Sequence, residues 1–295
     1  MHWYSPGLCS LLMLIAWLLC GREVMGKPLL ISPETQPEMV EEGEYVPPLP
    51  QVRILTGHAG PVYAVSFHPG GSILATGAED NTVRLWDVTT GHELHTLSGH
   101  TGAVYAVSFD PAGRVLATGA QDNTVRLWDI ATGREIRTLS GHTGAVRAIS
   151  FHPTGSILAT GSEDNTVRLW DVATGHELRT FSNHTGSVYT VSFHPDGRRL
   201  ATGAGDNTVR LWDIVTGHEL FTLIGHIRSV YAISFHPNGK ILATVAGDNT
   251  VRLWDIVTGH ELSSLIGHTG SVYTVSFQPG GRLLATGARD NTVRL

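Results

Sequence analysis

The sequence predicts an all-β fold assembled from six copies of one four-stranded antiparallel unit, and three observations carry that expectation. A Gly-His or similar dipeptide places His58, His100, His142, His184, His226 and His268 at a constant step of 42 residues. A Trp-Asp pair keeps the same step at Trp86-Asp87, Trp128-Asp129, Trp170-Asp171, Trp212-Asp213 and Trp254-Asp255. Between these markers, short β-branched and aromatic runs alternate with turn pairs, and no helical period appears.

Each unit reads as four short strands. An opening strand is expected at Glu93–Ser98 and its equivalents, starting with Gln51–Leu55. The next strands are expected at Val62–Phe67 (VYAVSF), Ser72–Thr76 (SILAT) and Thr82–Trp86 (TVRLW), with equivalents in every unit. Pro69-Gly70-Gly71, Pro111-Ala112-Gly113 and Pro195-Asp196-Gly197 mark the hairpin between the second and third strands. Proline pre-sets φ at the first corner, and glycine accepts the left-handed position that follows. Asp80-Asn81 turns the chain into the last strand, and Thr90-Gly91 closes the unit. The repeats therefore fall near 51–92, 93–134, 135–176, 177–218, 219–260 and 261–295, the last one incomplete.

Composition narrows the function classes. A hydrophobic content of 41% and a charged content of 16% suit a packed core rather than a disordered chain. The formal charge of −6 argues against a nucleic-acid partner, which calls for a basic face. The two cysteines, Cys9 and Cys20, precede the repeats, so the repeats hold no disulfide framework and no thiolate metal site.

Ahead of the repeats, Leu8–Cys20 is an uncharged apolar run. It is shorter than the roughly 20 residues of a spanning helix and reads as the core of a secretory signal. Val24 and Gly26 supply small residues for cleavage before Lys27. Residues 1–26 are thus expected to be a signal peptide, with export to the periplasm, envelope or medium. The alternative is a retained membrane anchor at residues 8–20. Residues 27–50, rich in Pro and Glu, read as a disordered linker.

The Gly-His dipeptide, the hydrophobic-Ala-Thr-Gly strand, the Asp before the last strand and the closing Trp-Asp together resemble the Trp-Asp (WD) repeat β-propeller family. The resemblance runs from Val52 to Leu295 and recurs in register in every unit. It implies a β-propeller of four-stranded blades, either a six-bladed ring or a fragment of a seven-bladed one. It also implies that the strand preceding the first blade completes the last blade and closes the ring.

The family's hydrogen-bonded set of His, Ser or Thr, Asp and Trp carries over by motif position. The sets are His58, Thr76, Asp80 and Trp86; His100, Thr118, Asp122 and Trp128; His142, Thr160, Asp164 and Trp170; His184, Thr202, Asp206 and Trp212; and His226, Thr244, Asp248 and Trp254. The sixth holds His268, Thr286 and Asp290. The chemistry supports a structural role independently. A buried indole N–H needs an acceptor, a hydroxyl can accept it and donate onward to imidazole, and a carboxylate can hold the other ring nitrogen. A Thr-His-Asp set also resembles a hydrolase triad. A catalytic set is ordinarily unique, however, and this one recurs in every unit.

No phosphate loop, dinucleotide fingerprint or nucleophile elbow occurs, so no cofactor is expected. Asn183-His184-Thr185 spells a glycosylation sequon but coincides with a motif histidine. His68, His152, His194 and His236, and also His92, His176, His218 and His260, recur at turns and are expected to be solvated there rather than to line a metal site.

Recognition is left to the positions that vary between units. Tyr63, Tyr105, Arg147, Tyr189, Tyr231 and Tyr273 begin the innermost strands and are expected to ring the mouth of the channel. Glu79, Gln121, Glu163 and Arg289, with Gly205 and Gly247 at equivalent positions, are expected on the same rim. Tyr and Arg are favoured at binding hot spots. Ile227 and Arg228 break the usual Thr-Gly, and Val245 replaces a Gly. The expected function is a non-catalytic scaffold for other proteins, with no nucleic acid and with membrane contact only through the N-terminal run. The alternatives are an enzyme acting in the channel, a hydrolase or lyase, and an envelope-associated structural module.

Overall fold

The structure is a computed structural model that describes residues 52–295. The signal peptide and linker expected before Gln51 lie outside the described residues.

The first blade consists of β1 (Val62–Phe67), β2 (Ile73–Ala78), β3 (Thr82–Asp87) and β4 (Glu93–Ser98). The second has β5 (Val104–Phe109), β6 (Val115–Ala120), β7 (Val125–Asp129) and β8 (Glu135–Leu139). The third has β9 (Val146–Phe151), β10 (Ile157–Ser162), β11 (Val167–Asp171) and β12 (Glu177–Phe181). The fourth has β13 (Val188–Phe193), β14 (Arg199–Ala204), β15 (Val209–Asp213) and β16 (Glu219–Leu223). The fifth has β17 (Val230–Phe235), β18 (Ile241–Ala246), β19 (Val251–Asp255) and β20 (Glu261–Leu265). The sixth has β21 (Val272–Phe277), β22 (Leu284–Ala288) and the short β23 (Val293–Arg294). Neighbouring strands in each sheet are antiparallel and consecutive, with β1, β5, β9, β13, β17 and β21 at the inner edge. This is a β-propeller.

The turns form as their residues demand. Asn81 and its equivalents through Asn291 adopt φ of 64–70°, a left-handed conformation that asparagine tolerates better than most side chains. Gly113 closes the Pro-x-Gly turn at φ 71°. The Asp of each Trp-Asp pair caps the following turn: Asp171 Oδ1 accepts the Thr174 amide and hydroxyl, both at 2.7 Å.

The core lies between blades. Ala75, Val83, Leu85 and Leu97 of the first blade pack on Val104, Phe109, Leu116 and Trp128 of the second. The same seam recurs between each later pair. Glycine in the second strand makes these seams close: a Cβ on Gly161 would lie 2.7 Å from Val188 Cγ1 of the next blade. In the fifth blade Val245 stands at that position, fully buried with Val251, Val272 and Val275.

Two expectations change here. Val52–Leu55 forms no strand, and Val52 and Ile54 are 91% and 81% exposed. The first sheet takes its outer strand from Glu93–Ser98, so no ladder position remains there for Val52–Leu55. The sixth sheet, where that segment was expected to pair, holds three strands. Successive inner strands pack on one another, but β1 and β21 do not pack in that way among the described residues.

Candidate functional site

The motif residues meet as one hydrogen-bonded chain per blade. In the third blade, Trp170 Nε1–H donates to Thr160 Oγ1 at 2.9 Å. Thr160 Oγ1 lies 2.7 Å from His142 Nε2, and His142 Nδ1 lies 2.8 Å from Asp164 Oδ2. The indole is only a donor and the carboxylate only an acceptor, so Thr160 Oγ1 accepts from Trp170 and His142 Nδ1–H donates to Asp164. The other four complete blades repeat this arrangement at 2.7–3.0 Å. In the sixth, His268 bonds Thr286 at 2.9 Å and Asp290 at 2.8 Å.

Each carboxylate does more than hold its histidine. Asp164 Oδ2 also accepts the Thr143 amide at 2.9 Å, and Oδ1 accepts the Thr166 amide and hydroxyl. Burial by itself would raise the Asp164 carboxyl. The hydrogen bonds from His142, Thr166 and the Thr143 amide outweigh burial and hold it well below the usual carboxylate range. Burial also lowers the pKa of His100 and His226, with the Asp122 and Asp248 carboxylates opposing. Sequence reasoning missed the hydroxyls of Thr82, Thr124, Thr166, Thr208, Thr250 and Thr292. Their constant place two residues after the motif Asp was the available signal.

The repeated arginines sit within their own sheets. Arg84 pairs with Glu93, Arg126 with Glu135, Arg168 with Glu177, Arg210 with Glu219 and Arg252 with Glu261. Their guanidiniums come so close to the Gly-His dipeptide that a Cβ on Gly141 would lie 2.8 Å from Arg168 Nη1. Asn183 holds the equivalent place in the fourth blade, and its amide donates to Glu219 Oε2 at 2.8 Å.

The turn histidines divide: His92, His176, His218 and His260 are exposed, whereas His68, His152 and His236 are half-buried and His194 is buried. In the latter four, Nε2–H donates to a backbone carbonyl of the next blade, on Gly113, Gly197, Gly239 and Gly281, at 2.7–3.1 Å. Each ring also meets the next blade's phenylalanine edge-on, as His194 meets Phe235 at 5.0 Å.

The inner strands enclose a central cavity of about 490 Å³. Tyr63, Tyr105, Arg147, Tyr189, Tyr231 and Tyr273 all line it and are half-buried. Tyr63 and Tyr105 lie 5.3 Å apart, Tyr189 and Tyr231 5.8 Å, and Tyr231 and Tyr273 5.1 Å. Arg147 caps the Tyr105 ring at 3.7 Å and bonds Glu163 Oε1 at 2.8 Å. Two expected rim residues, Arg147 and Glu163, are therefore engaged with each other. Glu79, Gln121 and Arg289 are exposed, Gly205 is half-buried and Gly247 is buried. Among the described residues no group of three or more His, Cys, Asp or Glu side chains is arranged to hold a metal ion.

The model of the WD domain, G-beta repeat, matches residues 49–87, 91–129, 133–171, 175–213, 217–255 and 259–295. The chain belongs to the WD-repeat family. It is 44% identical over 50 residues to the nuclear distribution protein PAC1 of Coprinopsis cinerea, covering 17% of this chain and 12% of that one. It is 52% identical over 40 residues to the eukaryotic translation initiation factor 3 subunit I of Phaeosphaeria nodorum, covering 14% and 12%. It is 54% identical over 39 residues to the ribosome biogenesis protein ERB1 of Yarrowia lipolytica, covering 13% and 5%. Each match thus spans about one WD unit and a small part of the relative.

These WD-repeat relatives overturn the expectation of export. Their names refer to nuclear distribution, translation initiation and ribosome biogenesis, all processes inside the cell. The apolar run Leu8–Cys20 resembles a signal core in length and composition alone, and the same features occur in runs with other roles. WD-repeat membership supports a protein-binding role.

Proposed function

We propose that this chain is a non-catalytic protein-binding scaffold that presents the tyrosine-bearing mouth of its cavity to partner proteins. The half-buried aromatic rim carries the reading: rigid rings with polar tips, pre-positioned by contacts with one another and with Arg147. Such side chains bury large area at small entropic cost, which suits them as anchors. The relative named as a subunit of translation initiation factor 3 supports work within an assembly. In this reading residues 51–295 act as one binding unit, and the Trp-Thr-His-Asp chains serve as its scaffold.

The test is partner capture by the immobilised chain. Joint Tyr63→Ala, Tyr189→Ala and Tyr273→Ala changes, with Arg147→Glu, are expected to abolish capture while circular dichroism stays that of the parent. Undiminished capture would overturn the rim assignment.

A further inference from the structure

In the fifth and sixth blades Arg228, Val245 and Arg289 depart from the repeat, and they gather at one seam. Position two after the motif histidine is Gly60, Gly102, Gly144, Gly186 and Gly270 in the other blades. A Cβ there would come within 2.6–2.9 Å of the backbone amide of the motif Asp at Gly102, Gly144, Gly186 and Gly270. Glycine is therefore the residue this loop geometry asks for, and the fifth blade carries Arg228 instead. Beside it, Gly247 leaves room: a Cβ on Gly247 would lie 3.3 Å from Arg228 Cβ and 3.4 Å from Tyr231. Beneath, Val245 fills the seam that glycine narrows between the earlier blades.

Above this seam lies a groove of about 480 Å³ lined by Ile227, Arg228, Gly247, Thr269, Ser271 and Arg289, among others. Ile227 is 77% exposed, and Arg228 and Arg289 are both exposed. The two carboxylates in the groove, Asp248 and Asp290, are committed to His226 and His268 and to backbone amides. The equivalent rim positions on the first and third blades are acidic, Glu79 and Glu163. Arg228 and Arg289 thus stand together on the rim beside an exposed aliphatic side chain, over two carboxylates whose oxygens are taken up by imidazole and amide donors.

We propose that this groove docks an acidic segment of a partner protein, with glutamate or aspartate carboxylates on Arg228 and Arg289 and an aliphatic side chain on Ile227. Guanidinium groups suit carboxylates in geometry and charge. This inference rests on the rim being a protein-binding face, and it names the chemistry of one sector.

The experiment is fluorescence anisotropy of the full chain with a labelled peptide of alternating glutamate and leucine, against the same peptide with glutamine for glutamate. The glutamate peptide is expected to bind, to weaken as salt rises, and to exceed the glutamine peptide by about tenfold or more. Arg228→Gly restores the residue of the other blades and keeps the fold safe. It and Arg289→Gln should each cost about tenfold in affinity, while Arg134→Gln, at an exposed arginine of the second blade, changes nothing. Equal binding of the two peptides, unchanged affinity in both arginine variants, or no binding at millimolar peptide would each overturn the proposal. So would binding of a phosphoserine version alone. Partner capture lost in the tyrosine variants but intact peptide affinity in the arginine variants discards the groove and keeps the rim. The opposite pattern keeps the groove and discards the tyrosines.

Discussion

His194 on the fourth blade donates its Nε2–H to the carbonyl of Gly239 on the fifth, at 2.7 Å, and its Nδ1 lies 2.6 Å from Asp196 Oδ1 and 3.1 Å from the Asp196 amide nitrogen. The ring thus joins two blades that share no backbone ladder. Replacing His194 with Ala leaves the Gly239 carbonyl without this donor and removes the edge contact to Phe235. A loss of about 1–3 kcal/mol in urea unfolding is expected. The second blade carries Asp110 at this place, and its carboxylate accepts its own turn amides on Arg114 and Val115 at 2.7 Å. Asp110→Ala should therefore loosen one hairpin without opening the seam, a difference that hydrogen exchange on β10 would reveal.

This stitch also marks the boundary of what the sequence made legible. The blades were readable because period, turn residues and β-branched runs all act locally. The His-Thr-Asp-Trp sets were readable because each belongs to one blade and recurs at fixed offsets. His68 and His194 looked like solvated turn residues because their partners lie 45 positions away, on the next blade. Arg147 looked like a free rim cation because nothing local shows that Glu163 shares its rim. The segment Val52–Leu55 resembled the other outer strands in pattern, but strand formation needs a ladder partner, which composition alone does not supply.

Thr160 is fully buried and joins Trp170 to His142. Thr160→Val keeps the volume but strands the indole N–H and the imidazole nitrogen. Such buried, unsatisfied groups cost about 1–3 kcal/mol together with the lost bonds. Thr160→Ser restores the hydroxyl and should recover most of that loss. Chemical denaturation of the two variants, read by Trp fluorescence, checks the ordering.

Acid should weaken the propeller in two stages. Burial lowers the pKa of His100 and His226, so the unfolded chain binds more protons than the fold once pH drops below about 6.5. Stability conferred by neutral imidazole is therefore present above that pH and declines beneath it. The Asp164 and Asp206 carboxyls are held below their ordinary range against burial by bonds from His142 and His184 and from Thr166 and Thr208. Their contribution is complete above the unfolded carboxylate pKa of about 4 and is lost as pH falls further. Melting temperature followed from pH 8 to pH 3 should show both declines. Asp164→Asn should lower the plateau and flatten the lower one, whereas an unchanged slope below pH 4 would exclude Asp164 as a source.

The seams provide the sharpest contrast between near-identical units. A Cβ on Gly161 would sit 2.7 Å from Val188 Cγ1, closer than such atoms approach, and 3.1 Å from Val191 Cγ1, a tight contact. Gly161→Ala must push the fourth blade outward, with an overpacking cost of about 1–3 kcal/mol. At the equivalent place in the fifth blade, Val245 is fully buried against Val272 and Val275. Val245→Gly there empties a filled seam and frees the backbone, for a loss of about 2–4 kcal/mol. The same glycine thus suits one seam and is harmful in another, where Val245 fills the space against Val272 and Val275. If Val245→Gly proves neutral, the fifth and sixth blades can close to the spacing of the others, and the seam beneath Arg228 is not set by Val245.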